Sequence, residues 1–337
     1  MIGIRVDANE KIAMGHLMRC MSIAKQLRQL NQAIVFLISE NYAKNFIENN
    51  GFDCICLEND YREKEEEIEQ LLAILTSSKI DILLLDSYEV SYNYMKKLKE
   101  NVKLAYIDDL VSFYYPVDLL INYTFGTTRG VYEEKGYKDE KLLLGSEYVP
   151  LRPEFSNTSI RIQEQIEDIL ITTGGTDEYN MLIGIIDKIG DSKIRKHIIA
   201  GKFYDKLDEL LASQENNKTL FVYYDIANVC EIMRECDIAI SAGGTTLAEL
   251  CACGVPTICF SVADNQLMGT KAYAAANMML YAGDVREDRE QVINRIINNV
   301  KLLEGDILLR KALSKRANFF IDGKGAFRIS EQIVSLI

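Results

Sequence analysis

Ten short apolar runs, each followed by a stretch of helical periodicity, restrict this chain to very few architectures. IGIRVD, AIVFLIS, IDILLLD, VKLAYID and DLLINY precede residue 125, and DILITT, HIIAG, TLFVYY, DIAIS and PTICFS follow it. Runs of Ile, Leu and Val without a polar alternation suit strands buried on both faces, and the amphipathic segments between them suit crossover helices. The pattern predicts an α/β chain with parallel sheets. At 337 residues it exceeds what one core usually supports, so two doubly wound, Rossmann-like domains are expected. Pro150 and Pro153 in YVPLRPEFSN, followed by the polar segment Asn157–Glu167, mark the boundary. The reading is residues 1–150 and 151–337, facing each other across a cleft, with a helical segment at the C-terminal end.

Composition narrows the functions. The chain is 48% hydrophobic and 26% charged, ordinary for a globular protein, and its net charge of -12 is spread over both halves. Neither half offers a surface for nucleic acid or an anionic membrane. MIGIRVDANE has no basic region leading into an apolar one, and no long uncharged apolar run follows, so a cytoplasmic location is expected. The eight cysteines stand mainly among apolar neighbours, and two histidines are too few to complete zinc sites, so buried reduced thiols are expected.

In open parallel sheets ligands bind beyond the carboxyl ends of the strands. That rule selects Asp7 to Arg19, Asp86 to Tyr88, Asp108 and Asp109, Thr172 to Asp177, Ser241 to Glu249 and Ser261 to Gln266. Two of these stretches hold glycine pairs at what read as helix starts. After Thr173, Gly174 and Gly175 lead to Thr176 and Asp177 as caps; Gly243 and Gly244 lead to a helix starting at Thr245 or Thr246. Free N–H groups at a helix start attract anions, and glycine lets a phosphate approach closely. Neither pair spells a Walker loop or GxGxxG, and a glycine pair alone more often makes only a tight turn. Glu249 reads either as an acceptor for ribose hydroxyls or as the far half of a capping box.

In MGHLMRC, Gly15 and His16 open a helix whose apolar face runs through Leu17, Cys20, Ala24 and Leu27. His16 and Arg19 share its first turn. Alone, a histidine there is more often a surface or capping residue; a neutral imidazole can also act as a general base, with nearby positive charge from Arg19 and the helix end favouring the neutral form. Arg19 reads as a substrate contact, a support for His16 or half of a surface ion pair. His197, at the entry to a strand, reads as structural.

SAGGTTLAELCACGVPTICFSVADNQ resembles the nucleotide-binding segment of GT-B-fold, UDP-sugar-binding enzymes, including the peptidoglycan lipid II glycosyltransferase. RVDANEKIAMGHLMRCMSIA resembles more narrowly the UDP-2,4-diacetamido-2,4,6-trideoxy-β-L-altropyranose hydrolases of pseudaminic acid synthesis and the related spore coat polysaccharide proteins. LLLDSYEVS, YIDDL, DLLINYTFG, LRPEF and TTGGTD match the same group, from Arg5 to about Gln266. One position departs: Ser87 follows Asp86 where some members have histidine, and no role of that imidazole carries over.

The resemblance implies a GT-B-like fold with UDP on the C-terminal domain and the sugar against His16 of the N-terminal one. It implies hydrolysis at the anomeric carbon, with water as nucleophile and His16 as general base. The substrate-binding set is Asp7, Gly15, Arg19, Tyr88, Thr173, Gly174, Gly175, Thr176, Gly243, Gly244, Thr245, Glu249, Asn265 and Gln266. Asp86, Tyr88, Asp108, Asn265 and Gln266 suit a polar wall for acetamido and hydroxyl groups. No cofactor is expected. Nor is a metal, because Asp108 and Asp109 lack further ligands and helix ends can stabilise a leaving diphosphate. A glycosyltransferase using the same base on an acceptor hydroxyl, and a nucleotide-sugar-binding protein without turnover, remain the alternatives.

Overall fold

Alternate residues of each central strand point to opposite faces, and here both sets are apolar, so each sheet needs helices on both sides. The computed structural model describes residues 1–9, 14–158, 161–190, 193–201, 203–226 and 228–336. It divides into one unit of Met1–Pro153 with Lys324–Ile337, and a second of Glu154–Gly323.

The first unit contains β1 (Ile2–Val6), β2 (Ile34–Ile38), β3 (Asp53–Cys56), β4 (Ile82–Asp86), β5 (Lys103–Ile107), β6 (Leu119–Asn122) and β7 (Lys141–Leu144). They form one sheet in the order β3-β2-β1-β4-β5-β6-β7, with every pairing parallel. On β4, Ile82 and Leu84 join a core with Leu17, Cys20, Ala24 and Leu27 of helix Gly15–Gln29. Leu83 and Leu85 join the opposite core, with Leu71 and Leu75 of helix Lys64–Ser77 and Met95 and Leu98 of helix Tyr92–Lys99. The expected apolar face of Gly15–Gln29 is therefore the face that is buried.

The second unit contains β8 (Asp168–Thr172), β9 (Arg195–Ala200), β10 (Leu220–Tyr224), β11 (Ile238–Ala242), β12 (Thr257–Ser261) and β13 (Leu280–Asp284). Its sheet, β10-β9-β8-β11-β12-β13, is also parallel throughout. Ile169, Ile171, Ile238, Ile240 and Ile258 pack against Leu182 and Ile185 of helix Met181–Ile189 and Ile293 and Ile296 of helix Arg289–Gly305.

Two expectations need correction. The ten apolar runs are strands, but β3, β7 and β13 are additional. Each is a sheet edge, partly exposed, so its residues need not form an apolar run. The last residues also do not stay with the second domain. Helix Gly325–Val334 returns to the first, where Ala326, Ile329 and Ile333 join the core beneath Gly15–Gln29. Its Gly325 passes directly against Val149, leaving no room for a Cβ, so the GKG before this helix serves a chain crossing. Among the described residues no helix is long and apolar enough to cross a membrane.

Ile329 is fully buried in the first unit's core. Ile329→Ala should cost about 2–5 kcal/mol. Hydrogen exchange should show helix Gly15–Gln29 losing protection while β8 and β11 keep theirs; equal loss in both units would contradict the assignment of this helix.

Candidate functional site

Each sheet order reverses once, between β1 and β4 in the first and between β8 and β11 in the second. At a reversal the two connections leave to opposite faces and open a crevice at the carboxyl ends. Val6 pairs with Asp86, and Thr172 with Ser241, so these residues border the two crevices. The segments that follow them carry most of the candidate residues.

In the first unit helix Gly15–Gln29 begins after β1 with Gly15 exposed and no side-chain cap. His16 is mostly covered, its side chain 12% exposed, and its Nδ1 lies 3.0 Å from Oδ1 of fully buried Asp86. The atoms are at contact distance but out of hydrogen-bond alignment, so Nδ1 is buried without an aligned partner. The Tyr88 ring stands edge-on to the imidazole, with 4.6 Å between centroids. Arg19 grips Asp86 with two parallel bonds, Nε to Oδ2 at 2.6 Å and Nη2 to Oδ1 at 2.5 Å. Its Nη1 donates to Asp109 Oδ2 at 2.7 Å and to the Tyr123 hydroxyl at 2.5 Å. Tyr88 donates to the same Asp109 oxygen at 2.8 Å.

Electrostatics follow from these contacts. Burial alone would push the Asp86 carboxyl up, but the Arg19 guanidinium and, after it, His16 hold it below the usual carboxylate range. Burial, then the neighbouring Asp109 carboxylate, raise the Tyr88 phenol to about 12. The expected roles of Arg19 change accordingly. Four of its five N–H donors are engaged, so it is a buried clamp with little left for substrate. Its charge faces Asp86 and Asp109, and the group directly against the imidazole is a carboxylate.

Asp7 also departs from its expected place in the binding set. It is 2% exposed and accepts from Arg5 Nη1 and Ser39 on one oxygen and from Lys64 and Ser87 on the other. Arg5 in turn grips Glu67 with Nε and Nη2, and Tyr94 donates to the same carboxylate. The four ions form a neutral buried cluster below the site, with no acceptor of Asp7 turned outward. Ser87, bonded to this cluster, fixes the turn between Asp86 and Tyr88.

In the second unit the two glycine pairs leave neighbouring strands but differ. Gly244, the N-cap of helix Thr245–Cys253, has φ +142° with open space where a Cβ would project. Gly244 and Thr245 are exposed, and no side chain occupies the cap. Gly243 is packed, since a Cβ there would lie 2.7 Å from Gln266 Cβ. Helix Asp264–Ala275 thus starts beside this turn, with Asn265 exposed and Gln266 accepting from Val262 N through Oε1. Glu249 is partly buried, and with glycine at the cap the reciprocal side-chain pair of a capping box has no near half.

The other pair does not open a helix. Thr173 is buried, Gly174, Gly175 and Thr176 make a turn, and the helix starts only at Met181. Asp177 accepts from the N–H groups of Met181 and Leu182, filling the helix end that an anion would use. The N-cap position itself is Asn180, so Asp177, expected as a cap, acts from three residues before it, and its carboxylate takes the N–H groups an anion would use at this helix start.

The remaining candidates are structural. His197 bonds Asp168 through Nε2 at 2.8 Å and Tyr223 through Nδ1 at 3.1 Å. Asp108 accepts from Leu110 N, Val111 N and the Tyr132 hydroxyl, while Asp109 turns to Arg19 and Tyr88, so the adjacent carboxylates face different partners. Among the described residues no group of three metal-ligating side chains converges. The cysteines are free thiols, six of the eight buried. Sequence reasoning missed Asp109 and Tyr123 as partners of Arg19 and did not pair Asp86 with His16. The available signal was a carboxylate ending a fully apolar strand, as in ILLLD, with no cation near it in sequence.

Residues 169–325 match the glycosyltransferase family 28 C-terminal domain. The chain is similar to the spore coat polysaccharide biosynthesis protein SpsG of Bacillus subtilis, at 23% identity over 98% of this chain and 96% of that one. It is 25% identical to the UDP-2,4-diacetamido-2,4,6-trideoxy-beta-L-altropyranose hydrolase of Campylobacter jejuni, over 73% of this chain and 85% of that enzyme. An uncharacterized protein of Methanocaldococcus jannaschii is 25% identical over 76% of this chain, which spans about half, 54%, of that protein's length. Among solved structures, Acinetobacter baumannii MurG superposes with a TM-score of 0.70 at 12% identity, covering 99% of both chains. The fold is GT-B.

The buried cluster makes a separate prediction. Burial would raise the Asp7 carboxyl, but Arg5 and then Lys64 bring it down from 3.8 to about 2. A lowered carboxyl stabilises the fold above its unfolded value, here by about 2 kcal/mol, and that contribution is lost as pH falls from about 4 through 2. Asp7→Asn should flatten this acid limb and, by leaving buried cations short of a partner, cost about 3–5 kcal/mol at neutral pH. An unchanged slope of stability against pH in denaturant melts would remove Asp7 from this role.

Proposed function

As a GT-B-fold relative of the spore coat polysaccharide proteins and altropyranose hydrolases, the chain, we propose, hydrolyses a UDP-linked diacetamido-trideoxy sugar at the anomeric carbon. The products are UDP and the free sugar, the latter for nonulosonic (pseudaminic) acid synthesis, in the cytoplasm. What carries the reading is His16, held against Asp86 at the crevice of the first sheet. Similarity to a named hydrolase over 73% of the chain supports it.

In the proposed reaction water attacks the anomeric carbon while the imidazole takes its proton. The bond from that carbon to the diphosphate oxygen breaks, and UDP leaves with the electron pair. The helix start at Gly244 and Thr245 supplies N–H groups and a positive dipole end for the departing charge. Glu249 receives the ribose hydroxyls. Tyr88, Asn265 and the free amide N–H groups of Gln266 are offered to the sugar.

A transferase reading has one observation in its favour, the match of residues 169–325 to a glycosyltransferase domain. The two differ only in the nucleophile, so the test is UDP release from a panel of UDP-amino-sugars with and without acceptors. Release without an acceptor is expected. Release only when one is added would establish transfer, and binding without release a protein that only holds the nucleotide sugar.

His16→Asn should lower turnover by about 10²–10⁴-fold with a far smaller change in substrate affinity. The wild-type rate should fall as acid protonates the imidazole, and that limb should vanish in the variant. Near wild-type turnover with the same limb would mean another base.

Gly244→Val tests the phosphate site. A side chain there would enter the open space at the helix start, and any residue but glycine is also strained at φ +142°. Calorimetry should show UDP weakened more than uridine; equal losses would point to backbone strain alone.

A further inference from the structure

A neutral imidazole carries one N–H, and which nitrogen holds it decides which can act as a base. The surroundings of His16 bear on that choice. From the end of β4, Asp86 presents Oδ1 at 3.0 Å from Nδ1. From the turn after it, Tyr88 packs edge-on to the ring. From its own helix, Arg19 holds both Asp86 oxygens, and Cys20 Sγ lies 3.3 Å from Oδ2. Asp109, after β5, and Tyr123, after β6, meet Arg19 rather than the ring in the contacts of that guanidinium.

If Nδ1 bore a lone pair, it would face a carboxylate oxygen at hydrogen-bond distance with no proton between them. Two acceptors so placed repel, and Nδ1 is buried with no other partner. A proton on Nδ1 removes the conflict, and a small rotation of the ring brings it into line with Oδ1. Nε2 then carries the free lone pair. Arg19 completes the device: its fork fixes the carboxylate plane, and its charge keeps Asp86 ionised and able to accept.

We infer that Asp86, clamped by Arg19, is a positioning residue that holds His16 as the Nδ1–H tautomer and leaves Nε2 as the basic nitrogen. This rests on the hydrolase reading only for its consequence in catalysis. The tautomer itself is a property of the protein without substrate.

The chain has two histidines, which makes the inference directly measurable. Long-range 1H–15N NMR of the imidazoles separates a protonated from an unprotonated ring nitrogen, and the signals lost in His16→Asn assign the His16 set. The expected wild-type spectrum, above the pH at which the ring is charged, has His16 Nδ1 protonated and Nε2 unprotonated. In Asp86→Ala that preference should be lost, and kcat for UDP release should fall about 10²–10⁴-fold while KM stays within a few-fold. An Nε2–H tautomer in the wild type overturns the inference, as does an Nδ1–H tautomer that persists in Asp86→Ala. Should that variant fail to fold, the wild-type spectrum still decides. If the tautomer is as expected but His16→Asn retains turnover, the assignment of the base fails while the positioning of the ring stands.

Discussion

A parallel sheet whose central strands are apolar on both faces cannot be left half covered. Within each sheet every connection but that between β5 and β6 carries a helix, and the right-handed crossover fixes which face it covers from the direction the next strand lies in. Reversing the strand order once is how such a chain covers both faces. The reversals between β1 and β4 and between β8 and β11 therefore arise from the same burial that stabilises the two units. They place His16 and Gly244 beyond the carboxyl ends of the strands beside those reversals, where Asp86 and Thr173 are buried.

Polar groups brought to such a place must be satisfied before they can be used. The first unit does this in two tiers. Arg5, Asp7, Lys64 and Glu67 neutralise one another below the crevice and hold Ser87. Above them Arg19 neutralises Asp86 and ties in Asp109, Tyr88 and Tyr123. Charges at this depth cost much in isolation and little when each donor meets an acceptor, so the arrangement is rigid. A rigid carboxylate can hold an imidazole, and a mobile one cannot.

The second unit offers an unoccupied cap of a different kind. Asp177 shows what becomes of a helix start when a carboxylate is available to fill it, and Gly244 shows the alternative, with no side chain at the cap. That difference separates two glycine pairs that look alike in sequence. The first unit holds an imidazole against a carboxylate, and the second holds an open helix start. The nucleophile admitted distinguishes hydrolysis from transfer.

Much of this was legible in the residues. Apolar runs buried on both faces named ten strands and their parallel pairing, because periodicity reports burial directly. The helix at His16 and its buried face followed from Leu17, Cys20, Ala24 and Leu27. Edge strands such as LYAGD were not legible, since half-exposed residues carry no such period. Nor was the return of helix Gly325–Val334 to the first unit, because its apolar stripe shows that it packs without showing on what. The roles of the polar residues were the least legible. Asp7 and Asp86 both follow apolar strands, yet one is enclosed by four donors and the other faces a histidine. Local sequence determined where side chains that can carry charge and hydrogen bonds would gather; apart from the pairing of Arg5 with Asp7, two residues away, which of them meet was decided mainly by distances between segments 57 to 90 residues apart, and only the folded chain sets those.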